Sequence, residues 1–192
     1  RGVRYYAHGR PPAKSSRNAE AQAAIVSHQR RRLSCAREMY GMRFGDEDVS
    51  EASMSQLRGR EGARMKKIYA DHAERTGVYW NRRSYDPKDF DSGDPINRAL
   101  TSANAALYGV AHAVITALGF IPSLGVIHNG TDRAFVYDIA DLYKAEIAIP
   151  AAFDAAAEPG FDTVSSARRR VRDKVVEFRL MEKMVRDLHR LM

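Results

Sequence analysis

Glu61, His128, Asp138 and Asp141 are the side chains of this sequence whose types and settings could do chemistry. Glu61 falls on the apolar stripe of a predicted helix from Ser53 to Thr76, a stripe marked by Met54, Leu57, Met65 and Ile68. At about 100° per residue it projects between Leu57 and Met65. A carboxylate placed there needs a cation, a proton or a metal, because an unpaired buried charge is costly. His128 lies in Gly125-Val126-Ile127-His128-Asn129-Gly130. Asp138 and Asp141 are three residues apart on a predicted helix, so they converge from one side. One Glu, one His and one or two Asp make a mixed oxygen and nitrogen donor set. Such a set suits manganese or magnesium, and the imidazole also admits zinc. Each residue has an ordinary reading too: a loop histidine at the surface, two aspartates on a solvated helix edge.

The elements that position these residues are mainly helical. The Glu61 helix ends at Gly77 in a left-handed cap. Asp94-Pro95 is a strong start, an N-cap followed by proline at the first helical position. The helix it opens runs to Gly119 and carries one charge, Arg98, between Ile96 and Leu118, which predicts a buried central helix. Asn97, Thr101, Asn104, Tyr108 and His112 form a polar stripe on it, so it is no membrane span; the stripe faces a polar cavity or makes core hydrogen bonds. A further helix is expected over Phe135 to Glu146. Pro150 opens a short Ala-rich helix that Pro159-Gly160 ends. The last helix is expected to run unbroken from Thr163 to Met192, with Val164, Val171, Val175, Phe178, Val185 and Leu188 on one face. Ser15 or Ser16 can cap a helix that continues, whole or broken, to Phe44. Residues 2–6 read as a short strand and Gly9 to Ala13 as a linker. The fold class is mainly α. Residues 1–14 are expected to be the remnant of an N-terminal β-domain with its linker, and residues 15–192 one helical domain. The chain opens on Arg1 rather than Met, which is expected of a piece of a longer protein.

Charge narrows the partners. The net charge of +7 is unevenly spread. Residues 1–44 carry ten Lys/Arg against two Asp/Glu, residues 164–192 nine against four, and the middle twelve against eighteen. Two basic arms around an acidic centre suit a polyanion held around a metal-binding middle, or plain solvated helix faces. Arg30-Arg31-Arg32 reads first as a solvated face. One cysteine, Cys35, allows no internal disulfide and fits a reducing, cytoplasmic setting. His72 shares the stripe of Glu61 and reads as a core residue or a support for a ligand.

Several motifs in register resemble one family. Leu57-Arg58-Gly59-Arg60-Glu61-Gly62, Gly125 to Gly130, and Phe135-Val136-Tyr137-Asp138-Ile139-Ala140-Asp141 look like three motifs of the CRISPR-associated spacer-acquisition endonuclease/integrases, in their type I-E form. Arg43-Phe44-Gly45, Tyr85-Asp86-Pro87-Lys88-Asp89 and Leu107-Tyr108-Gly109-Val110 add to the match, which covers nearly the whole chain. The resemblance implies the family's C-terminal helical catalytic domain. It implies Glu61, His128 and Asp141 as ligands of Mn²⁺ or Mg²⁺, so that the charge compensating Glu61 is a metal and not a salt bridge. It adds Asp138 as a further acidic position and Tyr108 as a residue placing DNA or ligands. The implied reaction is phosphoryl transfer: endonuclease cleavage, and joining of prespacer 3′-OH ends to the CRISPR repeat. Implied partners are double-stranded DNA (prespacer and repeat), reached by Arg4, Arg168 and Arg172, the second CRISPR adaptation protein, and a second copy in a full-length homodimer. The competing readings are a non-catalytic helical DNA-binding module and a scaffold that holds partner proteins through the C-terminal helix.

Overall fold

The computed structural model describes residues 16–45, 48–84, 94–158 and 162–192. Among them are eight helices and no strand. They are α1 (Arg17–Val26), α2 (Gln29–Arg43), α3 (Met54–Thr76), α4 (Pro95–Ala117), α5 (Ala134–Asp141), α6 (Ala148–Ala156), α7 (Thr163–Glu177) and α8 (Leu180–Leu191). The strand expected at residues 2–6, the linker, Tyr85 to Asp89 and Pro159-Gly160 lie outside the described residues.

The best-signalled helices begin and end where local chemistry dictates. Ser53 caps α3 in a reciprocal box: its hydroxyl accepts from Gln56 N–H, and the Gln56 side chain accepts from Ser53 N–H at 2.8 Å. Gly77 closes α3 with φ +71°, the left-handed conformation glycine adopts without a Cβ penalty. Asp94 caps α4 through Asn97 N–H at 2.8 Å, with Pro95 at the first position. The central helix α4 buries Ala99, Leu100, Ala103, Leu107, Ala111 and Ile115 completely. Helices α5, α6, α7 and α8 pack around it. No described helix is long and apolar enough to cross a membrane.

One boundary left open is settled and three expected ones are corrected. The stretch up to Phe44 is two helices, broken where His28 takes an extended conformation (φ −111°, ψ 110°). Helix α5 stops at Asp141 rather than Glu146. The following turns carry Tyr143 and Ile147 into the core, where Tyr143 donates to Asp187 of α8 at 2.6 Å. The C-terminal helix is also two. Arg179 stands at φ 47°, between α7 and α8. The cause is a phase shift in the apolar pattern. Val171 is buried on α7, and Leu180, Met184, Leu188 and Leu191 are buried on α8. Nine residues at about 100° each would put Leu180 opposite Val171 on a straight helix. Breaking at Arg179 lets both faces reach the core and leaves Phe178, assigned to the buried face, half exposed. Pro150 lies inside α6, which begins at Ala148; there its missing N–H falls in the first turn and costs no helical bond.

Candidate active site

Four separate segments meet at one small cavity. Helix α2 brings Met39, Tyr40 and Arg43, and α3 brings Glu61. The connection before α5 brings Ile127 and His128, and α5 brings Asp138 and Asp141. The cavity holds about 10 Å³, on a scale where one water needs roughly 10–15 Å³. Glu61, His128, Asp138 and Asp141 therefore share one space, although the last three are 67 or more residues beyond the first.

The His128 segment is fixed from both sides. Asp138, fully buried, accepts from Val126 N–H at 2.5 Å, Ile127 N–H at 3.1 Å and His128 N–H at 2.9 Å. Its fourth donor is His128 Nδ1 at 2.7 Å. The carbonyls of the same segment are held by arginines: Val126 C=O by Arg32 Nε at 2.5 Å, Ile127 C=O by Arg58 at 3.0 Å. Upstream, the buried Gln22 side chain bonds the carbonyls of Ile121 and Leu124 and accepts from Ile121 N–H. With Nδ1 facing a carboxylate, the ring proton belongs on Nδ1, and Nε2 keeps its lone pair. The Asp138 hydrogen bond holds the imidazole pKa above its ordinary value, against the effect of burial. Asp138 is therefore a positioning residue for His128, and not a second free carboxylate of the site.

Gly125 makes the approach of this segment possible. A Cβ there would meet His128 C=O at 2.3 Å and the Cβ of Ala134 at 2.8 Å. Both are fixed, one by backbone and one by the first residue of α5. Gly125→Ala is expected to destabilise the fold by about 1–3 kcal/mol, the usual range for overpacking. Urea unfolding checks this, and an unchanged midpoint would show that the segment yields freely.

The resemblance implies a metal as the compensating charge of Glu61; the protein itself supplies two partners. Glu61 Oε2 accepts from Tyr40 OH at 2.6 Å, and its Oε1 is ion-paired with Arg43. Arg43 is 6% exposed and Glu61 23%, so the carboxylate lies at the edge of the buried zone and the arginine inside it. The partner of Glu61 in the structure is thus a salt bridge. Burial, then the hydrogen bond to Glu61, pushes the Tyr40 phenol above its ordinary pKa and keeps it a donor. Asp141 has two cations near it: Lys144 Nζ at 2.5 Å from Oδ1, and Arg43 at 4.0 Å from Oδ2. Burial alone would lower the Lys144 pKa, but Asp141 and Tyr108 together outweigh it and hold the ammonium above its usual value. The Lys144 contact lacks hydrogen-bond alignment, and Asp141 Oδ1 is buried without a hydrogen-bond donor.

Among the described residues, no three His, Cys, Asp or Glu side chains are already gathered tightly enough to grip an ion. Three features nonetheless fit a divalent metal. The donor set of carboxylates and imidazole suits Mn²⁺ or Mg²⁺. The cavity has room for about one water-sized body. Asp141 Oδ1 is a buried carboxylate oxygen that no aligned hydrogen bond occupies, with the Lys144 ammonium 2.5 Å away.

A wider cleft of about 360 Å³ opens on the other side of His128, lined by Arg83, Asn104, Tyr108, Arg133 and Tyr137 among others. The Tyr108 and Tyr137 rings meet edge to face at 4.9 Å. The polar stripe of α4 divides here. Arg83 ties Asn97 and Thr101 together at 2.9 and 2.7 Å, as core hydrogen bonds. Asn104 and Tyr108 face the cleft, and Asn104 Oδ1 is buried without a hydrogen-bond partner. His112 is exposed. Arg168 and Arg172 lie exposed on α7, bonded to Ser165 and Asp173, and line neither cavity. Arg4 lies outside the described residues. His72, half-buried, stacks on Phe153 at 5.9 Å and contacts Arg75. Cys35 is a buried thiol pushed up to about 12 by burial, then by Glu38 and Asp138. Arg32, Arg43, Arg58, Tyr40 and Gln22 were given no role at this site by sequence reasoning. Arg43 and Arg58 did fall within quoted motifs, and Arg32 within a run read as solvated.

Comparison with known proteins bears on this arrangement. The family model of CRISPR associated protein Cas1 matches residues 13–160. The CRISPR-associated endonuclease Cas1 of Clostridium sp. (strain SY8519) is 52% identical over 192 residues, covering 99% of this chain and 64% of that protein. CRISPR-associated endonuclease Cas1 2 of Thermus thermophilus is 42% identical over 186 residues, covering 97% and 57%. A crystal structure of a TtCas1–DNA complex superposes with a TM-score of 0.86 at 42% identity, over 93% of this chain and 66% of that one. The chain spans about three fifths of the length of these curated relatives. With most of its length matched by the family model and these relatives, the chain belongs to the CRISPR-associated Cas1 family.

Proposed function

We propose that this chain is the helical catalytic part of a divalent-metal-dependent DNA endonuclease and integrase of CRISPR adaptation. The single observation that carries the reading is the convergence of Glu61, His128 and Asp141 on one cavity beside a basic, aromatic cleft. Its target is double-stranded DNA: a prespacer whose 3′-OH ends are joined to the CRISPR repeat by phosphoryl transfer. The TtCas1–DNA complex among its structural neighbours supports DNA as the substrate. The full-length protein would act as a homodimer with the second CRISPR adaptation protein.

Glu61, His128 Nε2 and Asp141 would hold Mn²⁺ or Mg²⁺, which when bound polarises the scissile phosphate and stabilises developing charge. The chain supplies the rest by positioning. Asp138 fixes the ring and the proton of His128, as carboxylates behind ligating imidazoles do. Tyr108 and Tyr137 offer ring faces and edges to a base at a DNA end, and Arg83 and Arg133 attract its phosphates. Lys144, beneath the Tyr108 ring at 5.1 Å and beside Asp141, adds positive charge where the phosphate would lie. Exposed Arg168 and Arg172 on α7 would track the backbone without reading sequence.

The test uses full-length protein and labelled prespacer and repeat DNA, with Mn²⁺ or with chelator. Cleavage and strand joining are expected only with metal, while binding falls with salt in both. Cleavage or joining at full rate in chelator would sink the reading. Metal-independent binding with no chemistry under either condition would favour the non-catalytic module.

A further inference from the structure

Among the described residues, Arg43 touches both carboxylates that the proposed function assigns to a metal. Its Nη1 is ion-paired with Glu61 and stands 4.0 Å from Asp141 Oδ2. The rest of the guanidinium is met by soft contacts. Nη2 lies 3.2 Å from Met65 Sδ, the central carbon lies 5.0 Å from the Phe44 ring centre, and Nε is buried without a hydrogen-bond partner. The charge-assisted hydrogen bond to Glu61, with Asp141 nearby, holds Arg43 in this place. An arginine confined among apolar neighbours is tolerated because carboxylates face it, and they are tolerated because it faces them.

We propose that Arg43 is a resident counter-cation of Glu61 and Asp141, which a divalent ion must displace, and that it thereby sets the metal affinity of the site. The inference rests on the metal reading above. A divalent ion between these carboxylates would gain their attraction, but would lose to Arg43 whatever the arginine already gains from them. Two like charges a few ångströms apart in a partly buried site also repel. Both effects act in the same direction, against metal. Arg43 keeps both carboxylates paired at low metal, and hands them over only when the ion is abundant. The Met65 sulfur and Phe44 ring are contacts that a displaced guanidinium gives up at small cost, because neither is a strong hydrogen bond.

The experiment measures Mn²⁺ binding by calorimetry, and Tm in chelator and in saturating Mn²⁺, on full-length wild type, Arg43→Gln, Arg43→Met and Glu61→Gln. Arg43→Gln and Arg43→Met are expected to bind Mn²⁺ about tenfold more tightly. They should also have a lower Tm in chelator and a larger Mn²⁺-induced rise than wild type. Unchanged or weaker binding in both variants, with Glu61-dependent binding in wild type, overturns the Arg43 proposal alone. If Glu61→Gln binds Mn²⁺ as wild type does, the metal assignment fails and takes this inference with it. If neither Arg43 variant folds even at saturating Mn²⁺, Arg43 is an obligatory core cation and the proposal is wrong.

Discussion

Replacing Glu61, His128 or Asp141 by alanine in the full-length protein is expected to lower cleavage and strand joining by on the order of 10²–10³-fold each, the range seen when one preorganised electrostatic contact is removed. The three converge on one cavity of about 10 Å³, and on the proposed metal reading they act as a unit. The triple variant should then be little worse than any single one, because residues that act together are strongly non-additive. DNA affinity should hardly change, since Arg168 and Arg172, the exposed phosphate-binding candidates, lie on α7 outside the cavity.

Glu61→Ala needs a control. It leaves Arg43, only 6% exposed, without its main partner, and an unpaired buried charge destabilises. Glu61→Gln keeps the shape and a hydrogen-bond acceptor, so its Tm should stay nearer wild type while activity falls. Quenched gel assays at fixed DNA occupancy, with Tm measured on the same samples, separate the two effects. Wild-type rates in all three alanine variants would remove the site from the chemistry.

What the sequence made legible follows the range of the forces involved. The ends of α3 and the start of α4 were readable because Ser53, Gly77 and Asp94-Pro95 act within three or four residues of themselves. The break at Arg179 is present in the sequence as a phase shift between Val171 and Leu180, which a single apolar face drawn from Val164 to Leu188 averages away. The end of α5 has no glycine or proline to announce it; a tertiary bond, Tyr143 to Asp187 on α8, accompanies it. Periodicity showed that Glu61 needed a partner and could not say which. Arg43 is 18 residues upstream on another helix, and only the packing of α2 against α3 brings it there. Arg30 and Arg31 are the solvated residues expected of their run, whereas Arg32, one position on, turns inward to Val126. Residue type alone does not distinguish these three.

Asp138→Asn is expected to be the most damaging conservative change in the chain. The carboxylate accepts four hydrogen bonds, two on each oxygen, and all four donors are N–H groups. An amide has one acceptor oxygen and one NH₂. Whichever way the amide side chain were turned, its NH₂ would face two donors, and a buried, fully enclosed position leaves no water to mediate. Each orphaned donor costs about 1–3 kcal/mol, so a loss on the order of 2–6 kcal/mol follows for two, with the Val126–His128 segment displaced. His128 would suffer twice. Facing the amide oxygen it keeps the Nδ1 proton but leaves backbone donors unmet; facing the NH₂ it must give that proton up, which blocks Nε2 by protonating it. Activity should therefore fall by about 10–100-fold or more, the range for groups that orient a ligating imidazole. Asp138→Ala, which removes the acceptor without introducing a wrong donor, should be at least as unstable, since all four donors are left unmet. Urea unfolding gives the stability term. The ¹⁵N shifts of the His128 ring report its tautomer independently of activity. A variant with wild-type stability and a proton still on Nδ1 would show that Asp138 does not hold the segment, and the assignment of His128 Nε2 as the free nitrogen would fall with it.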